Sequence, residues 1–280
     1  MKWRIVTDSS SDIFELDRKN EDIEYTSVPF MISADDITYI DDENINILEL
    51  IGAMTTSKTT CRTACPSPQA FFEEFKKEGN VLATTISKEL SGSYNSANTA
   101  IHMLKEEEPD KNVAVINSIS TGTGVILVIE KMQELIEEGK DFDEVVSLTE
   151  HDVHHHRTIF ALCSFNNLVR NGRVSKLAAF AAGKLKLWGI GIGTDEGKIE
   201  IKSKVRGKKR AIDAIVQDFL EHNVTEGKFY ISHCMNEEFA NELRDKILEV
   251  APNMKIKIFT TRGLDSFYAE NMGVIVTYEF

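Results

Sequence analysis

Proline, long apolar runs and low-complexity tracts are all scarce in this sequence of 280 residues, which has five prolines. With so little proline and no repeat, the sequence gives no basis for long disordered segments. The longest stretch without a charged residue spans 112–129, and Asn-Ser-Ile-Ser-Thr-Gly interrupts it at 117–122. A bilayer-spanning helix would not tolerate that interruption, so we expect no stable membrane insertion.

Basic residues are outnumbered by acidic ones, 32 to 45, which gives a formal net charge of −13 at pH 7. This charge would repel a phosphate backbone and so excludes non-specific nucleic-acid binding as a function. Apolar residues still make up 42% of the chain, which is enough for a sizeable core. The composition predicts a globular protein with two domains or one large one.

The four cysteines, Cys61, Cys65, Cys163 and Cys234, are too widely spread to form a dense disulfide framework. No apolar segment follows Met1, so we expect no signal peptide. Free thiols in a chain without such a leader are typical of a reducing compartment. We therefore expect a cytoplasmic protein.

In the first half of the chain, strand patterns alternate with helix patterns of ten to fifteen residues. Such alternation is typical of βαβ crossovers and a mainly parallel sheet. Ser67 can cap a helix that has Pro68 at its first position. The predicted strands are 3–7, 26–32, 81–86 and 113–117, and the predicted helices are 45–54, 68–77, 93–107 and 125–138.

After about residue 152 the pattern changes, and a turn at 194–197 predicts an antiparallel hairpin. The strands and helices of this half would pack as a mixed sheet with helices on one face. The fold class is thus α/β: a mainly parallel N-terminal domain (1–152) and a second, α+β domain on a mixed sheet (153–280). The second half has predicted strands 159–164, 187–192, 198–205, 229–233, 256–260 and 274–278, and predicted helices 209–220 and 237–250.

Three strands of the first half end in loops rich in hydroxyl side chains, at 7–12, 87–93 and 117–122. The carboxyl ends of parallel strands meet at one edge of a sheet, where ligands bind. A helix that begins there directs free N–H groups at an anion. The loops therefore predict an anion-binding rim, although each taken alone could be only a helix cap or a turn.

Two guanidinium groups, those of Arg170 and Arg173, flank an Asn-Gly turn close to the expected domain boundary. The planar fork of arginine can donate two parallel hydrogen bonds to a carboxylate or a phosphate. A solvated turn or a surface ion pair is the alternative interpretation.

Six short segments, taken in order along the chain, together resemble the DegV family. They are Thr-Asp-Ser-Ser-Ser-Asp (7–12), Thr-Ala-Cys-Pro-Ser-Pro (63–68), Ile-Ser-Lys-Glu-Leu-Ser-Gly-Ser-Tyr-Asn-Ser-Ala (86–97), Leu-Val-Arg-Asn-Gly-Arg-Val-Ser (168–175), Lys-Val-Arg-Gly-Lys-Lys-Arg-Ala (204–211) and Ile-Ser-His (231–233).

The resemblance implies a two-domain protein that binds one long-chain fatty acid, needs no other cofactor, and is not itself an enzyme. Proteins of this kind present the acid to the ATP-binding subunit of a fatty acid kinase, which forms the acyl phosphate. By the same resemblance Thr63 and Ser91 would bind the carboxylate, and Arg173, or else Arg170, would supply positive charge. Gly92 and Ser93 would lie beside them.

The basic segment 202–210 lies within an otherwise acidic chain. The resemblance makes Arg206, Lys208 and Lys209 candidates for contact with the kinase subunit. A solvated strand face is the alternative interpretation.

Two segments depart from the family pattern. Lys-Leu-Trp-Gly at 186–189 stands where the resemblance implies Asn-Ile-Lys-Pro, and the other segment lies near the C-terminus. The resemblance implies a histidine close to the carboxylate, before a Gly-Pro-Gly turn near the C-terminus, but residues 266–273 contain no histidine.

An apolar tunnel could supply most of the affinity, since burial is worth ~0.8 kcal/mol per methylene and a tail of about sixteen carbons could gain ~12 kcal/mol before ordering costs. The candidate wall residues surround a stretch rich in glycine and alanine, and ordinary core packing is the alternative for each of them. These residues are Leu177, Phe180, Leu185, Leu187 and Trp188.

Other sites are less well supported by the sequence. The histidines at 151 and 154–156 lack further ligands at suitable spacing, so we expect no metal site. The glycines at 189–193 lack the spacing of a dinucleotide loop, and no Walker-type loop is present. Two alternatives remain: an enzyme acting on a carboxylated or phosphorylated substrate at the same rim, and a regulatory relative that has lost its ligand.

Overall fold

The first half of the chain, in a computed structural model that describes residues 2–174 and 187–280, alternates strands and helices as expected. Its elements are β1 (Trp3–Asp8), β2 (Ile23–Val28), β3 (Met31–Ala34), β4 (Ile37–Ile40), α1 (Ile47–Thr56), β5 (Arg62–Ala64), α2 (Pro68–Phe75), β6 (Asn80–Thr85), α3 (Ser93–Glu107), β7 (Val113–Asn117), α4 (Thr123–Glu137) and α5 (Phe142–Asp152).

Strands β2, β1, β6 and β7 form a four-stranded sheet, in that order, with every pairing parallel. Neighbouring residues of β1 enter different cores: Ile5 packs with α4 and α5, and Val6 packs with α2 and α3. Helices thus cover both faces, as an all-parallel sheet requires. The predicted mainly parallel α/β architecture of the first half is confirmed. Ser67 also caps α2 as predicted, its hydroxyl accepting from the amide of Ala70 at 3.2 Å.

A small antiparallel sheet, β4-β3-β5, was not expected, because the sequence predicted a single strand over 26–32. That prediction was wrong at Pro29, where β2 has ended and β3 has not begun. Proline has no N–H to donate to a strand ladder, so the parallel pairing stops and the chain enters another sheet. Helices α1 and α9 (Gly263–Ala269) pack against this small sheet.

The second half forms a six-stranded mixed sheet in the order β10-β9-β8-β13-β11-β12, in which only β11 and β12 pair in parallel. The predicted hairpin and mixed sheet are confirmed. The remaining elements are a 3₁₀ turn (Val153–His155), β8 (His156–Leu162), α6 (Asn166–Arg170), β9 (Leu187–Gly193), β10 (Ile199–Arg206), α7 (Lys208–Glu221), β11 (Glu226–His233), α8 (Glu237–Val250), β12 (Asn253–Thr260), α9 and β13 (Val274–Glu279).

Helices α7 and α8 cover one face of the mixed sheet, and the opposite face turns toward the first half, where α4 contacts β8, β11 and β13. The division near residue 152 stays a prediction, because α9 belongs to the second half of the chain but packs on α1 and β3. This arrangement leaves an interface between the two sheets, and the candidate site lies in it.

Candidate functional site

A largely apolar cavity lies between the two halves of the molecule. Its volume free of protein atoms is about 780 Å³, which includes solvent space at its opening. Both halves contribute to its lining. The apolar wall residues are Phe30, Ile86, Leu90, Ile119, Phe160, Leu162, Leu168, Ile199, Leu264, Ala269 and Ile275.

The alternation of side chains along β8 separates the cavity wall from the core of the second half. Ile159 and Ala161 face the core under α7 and α8, whereas Phe160 and Leu162 line the cavity. Thr158 lines it as well, and Thr158 and Leu162 lie four strand positions apart, a distance of about 13 Å. Residues that line the cavity therefore extend over about 13 Å of β8.

Strand β9 lines the cavity with glycine rather than with large side chains. Trp188, Ile190 and Ile192 face the helix-covered core, so the alternate positions Gly191 and Gly193 face the other way. A Cβ on Gly191 would lie 2.2 Å from Cζ of Phe160, which means that the phenylalanine ring occupies the place of the missing side chain. Glycine is needed at residue 191 because a cavity-wall ring packs directly on the strand backbone.

Five candidate wall residues were proposed from the sequence, and none is shown to line the cavity. Trp188 packs against Phe239 in the core, with ring centroids 5.1 Å apart, and Leu187 is not among the lining residues. On the opposite face of the strand, Gly193 lines the cavity. The other three, Leu177, Phe180 and Leu185, lie outside the described residues.

Thr63, Ser91, Arg173 and Tyr268 line the same cavity, and we call this group the mouth. Oγ1 of Thr63 is 2.9 Å from the hydroxyl of Tyr268, and the Arg173 guanidinium lies 5.7 Å from the centre of the Tyr268 ring. Strand β5, the loop before α3, the turn after α6 and helix α9 supply one residue each. The mouth thus joins residues from four separate parts of the sequence.

Arg173 has a fixed position and an uncompensated charge. Its Nε donates to the carbonyl of Leu90 at 3.0 Å and its Nη1 to the carbonyl of Asn171, while Nη2 has no hydrogen bond among the described residues. Arg173 has no ion pair with an acidic side chain within residues 2–174 and 187–280, whereas Lys198, the other cation lining the cavity, is paired with Glu196. The mouth therefore presents a positive charge in a fixed position, where an anionic group can bind.

The other sequence-predicted site residues lie elsewhere. Gly92 is exposed in a surface depression that shares Ser91 and Arg173 with the mouth, so it borders the opening. Ser93 is fully buried next to Asp8 and does not line the cavity. Arg170 is exposed at the end of α6 and is also absent from the lining, because α6 turns its side chain outward.

The three hydroxyl-rich loops lie close together, but the first has a different role from the second and third. The amide of Ser87 donates to the carbonyl of Ser120, and the amide of Gly122 donates to that of Ser10, both at 2.8 Å. The predicted convergence at one sheet edge is confirmed. In the first loop, however, Ser9 donates to Asp41 and Ser10 to Asp8, so these buried hydroxyls hold the scaffold together. Only the second and third loops line the cavity.

Asp12 and Asp265 form a pair of buried carboxyls, of which Asp265 lines the cavity. Each has one oxygen (Oδ2) without a hydrogen-bond partner, and both oxygens face Gly122, where a Cβ would lie 3.1 Å and 2.6 Å from them. Burial raises the pKa of Asp12 to about 7. Burial, together with the Asp12 charge, also raises the pKa of Asp265 well above its usual range. The pair therefore retains a proton near neutral pH.

The basic segment lies away from the cavity, on edge strand β10 and the start of α7. Arg206 and Lys209 are exposed. Lys208 instead forms ion pairs with Glu238 and Glu242, at 2.8 and 2.6 Å, so α8 neutralises its charge.

Sequence reasoning missed Tyr268 and the glycine-lined face of β9. The second could have been found, since Trp-Gly-Ile-Gly-Ile-Gly at 188–193 alternates with the period of a strand. Tyr268 lies in segment 266–273, where the resemblance implies a group close to the carboxylate, but its contact with Thr63, 205 residues away in sequence, has no local signal.

The DegV family model matches residues 2–275 of this chain. A DegV domain-containing protein of Streptococcus pyogenes serotype M18 is 35% identical over 279 residues, which cover 100% of both chains. No helix in the described parts of the chain is both long and apolar enough to cross a membrane.

Solved structures resemble the whole molecule. The Streptococcus pneumoniae fatty acid kinase (Fak) B3 protein, loaded with linoleic acid, is 34% identical with a TM-score of 0.96, covering 100% of this chain and 99% of that one. A DegV family protein from Eubacterium eligens, loaded with heptadecanoic acid, is 34% identical with a TM-score of 0.93, covering 99% of both chains.

Proposed function

Because the chain belongs to the DegV family, we propose that it binds one long-chain fatty acid, with the carboxylate at the mouth and the tail in the cavity. One observation carries the proposal: an apolar cavity that extends along β8 opens beside Arg173, whose charge no acidic residue in the described parts of the chain compensates. The fatty acids bound in the structures from Streptococcus pneumoniae and Eubacterium eligens support it.

The cavity and the mouth would contribute different parts of the affinity. Each buried methylene gains ~0.8 kcal/mol, so the tail supplies most of the binding free energy. At the mouth, hydrogen bonds from Arg173, Thr63 and Ser91 to a carboxylate are charge-assisted, and they fix which end of the ligand faces solvent. The protein holds the acid without breaking a bond in it, and this role requires no other cofactor.

The direct test is identification of the lipid that copurifies with the protein. Gentle denaturation followed by mass spectrometry should release a fatty acid in an approximately one-to-one ratio. A protein that contains no lipid and takes up no labelled fatty acid would refute the proposal.

The two arginines proposed from the sequence provide a matched pair of variants. Arg173→Met keeps a long unbranched side chain but removes the charge at the mouth, so we expect affinity for a fatty acid to fall by about ten- to a hundredfold. Arg170→Met removes an exposed charge outside the cavity and should leave affinity within about twofold. If Arg170→Met causes the larger loss, the carboxylate does not bind where we propose.

We further propose that the protein presents the acid to the ATP-binding subunit of a fatty acid kinase in the cytoplasm. That subunit would transfer the terminal phosphoryl group of ATP to a carboxylate oxygen, giving acyl phosphate and ADP. The relation to a fatty acid kinase protein supports this role, and the free thiols of all four cysteines are compatible with a reducing compartment.

Arg206 and Lys209 are the exposed cations that we propose contact the kinase subunit, while Lys208 is already neutralised. Arg206→Glu should abolish acyl phosphate formation by the added kinase subunit but leave fatty acid affinity unchanged. Equal turnover by the variant and the parent would exclude this surface. Turnover of a carboxylated substrate without any kinase would instead favour an enzyme.

A further inference from the structure

Tyr268 has its hydroxyl in the mouth, in the segment 266–273 that lacks the histidine of the family pattern. Its hydroxyl lies 2.9 Å from Oγ1 of Thr63, and its ring lies under the Arg173 guanidinium. The Phe267 ring packs edge-on against it, with centroids 4.8 Å apart. The side chain thus presents a polar group to the opening while its ring is held in place on two sides.

The backbone that carries Tyr268 is also firmly held. Asp41 accepts the first two amides of α9, those of Gly263 and Leu264, at 2.7 and 2.8 Å. The carbonyl of Phe267 accepts from the side-chain amide of Asn167 at 2.9 Å. These bonds fix α9 against both halves of the molecule, so the Tyr268 hydroxyl has a defined position before any ligand binds.

We propose that Tyr268 is a direct ligand of the fatty acid headgroup and donates its phenolic hydrogen to a carboxylate oxygen beside Thr63. This inference rests on the proposed function. A carboxylate only accepts hydrogen bonds and has two oxygens, so two neighbouring hydroxyl donors suit it. In the free protein the same two hydroxyls bond to each other, which leaves neither unsatisfied.

The protonation state suits a donor. Burial raises the pKa of the Tyr268 hydroxyl above its usual range, and that effect exceeds the opposing effects of Thr63 and the Arg173 charge. The phenol therefore stays protonated at physiological pH and can donate. A charged acceptor strengthens such a bond, whereas an ester carbonyl gains less from it. Tyr268 should accordingly favour free fatty acids over neutral esters.

Tyr268→Phe tests this, because it removes the hydroxyl and keeps the ring. We expect affinity for palmitate, measured by displacement of a fluorescent fatty acid, to fall by about tenfold or more. Affinity for methyl palmitate should change by less than about twofold. The matched control is Tyr39→Phe, since the hydroxyl of Tyr39 bonds to Glu49 at the surface, outside the cavity. It should affect neither ligand.

A double variant separates direct contact from an effect that acts only through Thr63. If Tyr268 merely positions Thr63, adding Tyr268→Phe to Thr63→Val should cost nothing further; a direct ligand predicts a further loss for palmitate. Equal losses of acid and ester, or no loss of either, would overturn the inference while the proposed function stands. If the parent protein binds neither ligand, the proposed function itself fails.

Discussion

Gly193 offers a way to shorten the cavity without disturbing the fold. It lines the cavity at the Thr158 end of β8, where a Cβ would lie 3.5 Å from Cβ of Thr158, an ordinary contact distance. Its backbone lies at the end of a strand, where a β-branched residue is well tolerated. Gly193→Val should therefore fold normally and project its side chain into the space that we assign to the end of the tail.

The size of the effect follows from the carbons displaced. Valine adds three carbons, so about three methylenes of a long tail would lose their place in the cavity. At ~0.8 kcal/mol each, the loss is about 2.4 kcal/mol, or roughly fiftyfold in the dissociation constant. An acid three carbons shorter avoids the new side chain, so its affinity should be nearly unchanged.

The assay is a series of dissociation constants for saturated acids from lauric to stearic, measured by displacement of a fluorescent analogue. Affinity of the parent protein should rise along the series, whereas affinity of Gly193→Val should stop rising at a shorter acid. Ser203→Val places the same side chain on the exposed β10 strand, outside the cavity, and should follow the parent. Identical series for the parent and Gly193→Val would show that the tail does not reach Gly193.

Three further changes test the fold around the site. Gly191→Ala should destabilise the protein by about 1–3 kcal/mol in thermal or urea unfolding, because the new methyl group would collide with the Phe160 ring and lie 2.7 Å from the backbone carbonyl oxygen of Glu200. Asp265→Asn should remove part of the pH dependence of stability. A carboxyl whose pKa is raised by folding binds more protons in the folded state, so the stability that Asp12 and Asp265 confer declines from about pH 4 through pH 7. The variant should gain stability relative to the parent at pH 8 and little at pH 5, as measured by urea unfolding. Ser67→Ala should cost about 1 kcal/mol in the same assay, because an amide at the start of α2 loses its cap.

Each of these three has an outcome that would contradict it. Gly193→Ala is the control for Gly191→Ala, since its methyl group meets no close neighbour, and equal destabilisation of both would refute the role of the Phe160 ring. A stability profile of Asp265→Asn that parallels the parent from pH 5 to pH 8 would mean that the pair holds no proton. Unchanged stability of Ser67→Ala would show that water replaces the cap.

Local patterns in the sequence predicted much of the architecture. Helix 93–107 and strand 113–117 have the predicted ends, because strong apolar periodicity and clear turn residues bound them. The prediction failed at 26–32, where Pro29 separates two strands that belong to different sheets. Of the site, Thr63, Ser91 and Arg173 were named from the family resemblance and do line one cavity.

Sequence by itself determined which residues share a face of each strand, because the period of two is a property of the backbone. Only the tertiary structure decided which face would border a cavity. Trp188 was the obvious apolar candidate, yet α8 covers its face. On the opposite face Gly193 lines the cavity, and the Phe160 ring packs over Gly191. Likewise, Tyr268 meets Thr63 only because α9 returns to the small sheet of the first half. Contacts between residues so distant in sequence depend on how whole elements pack, and no local pattern carries that information.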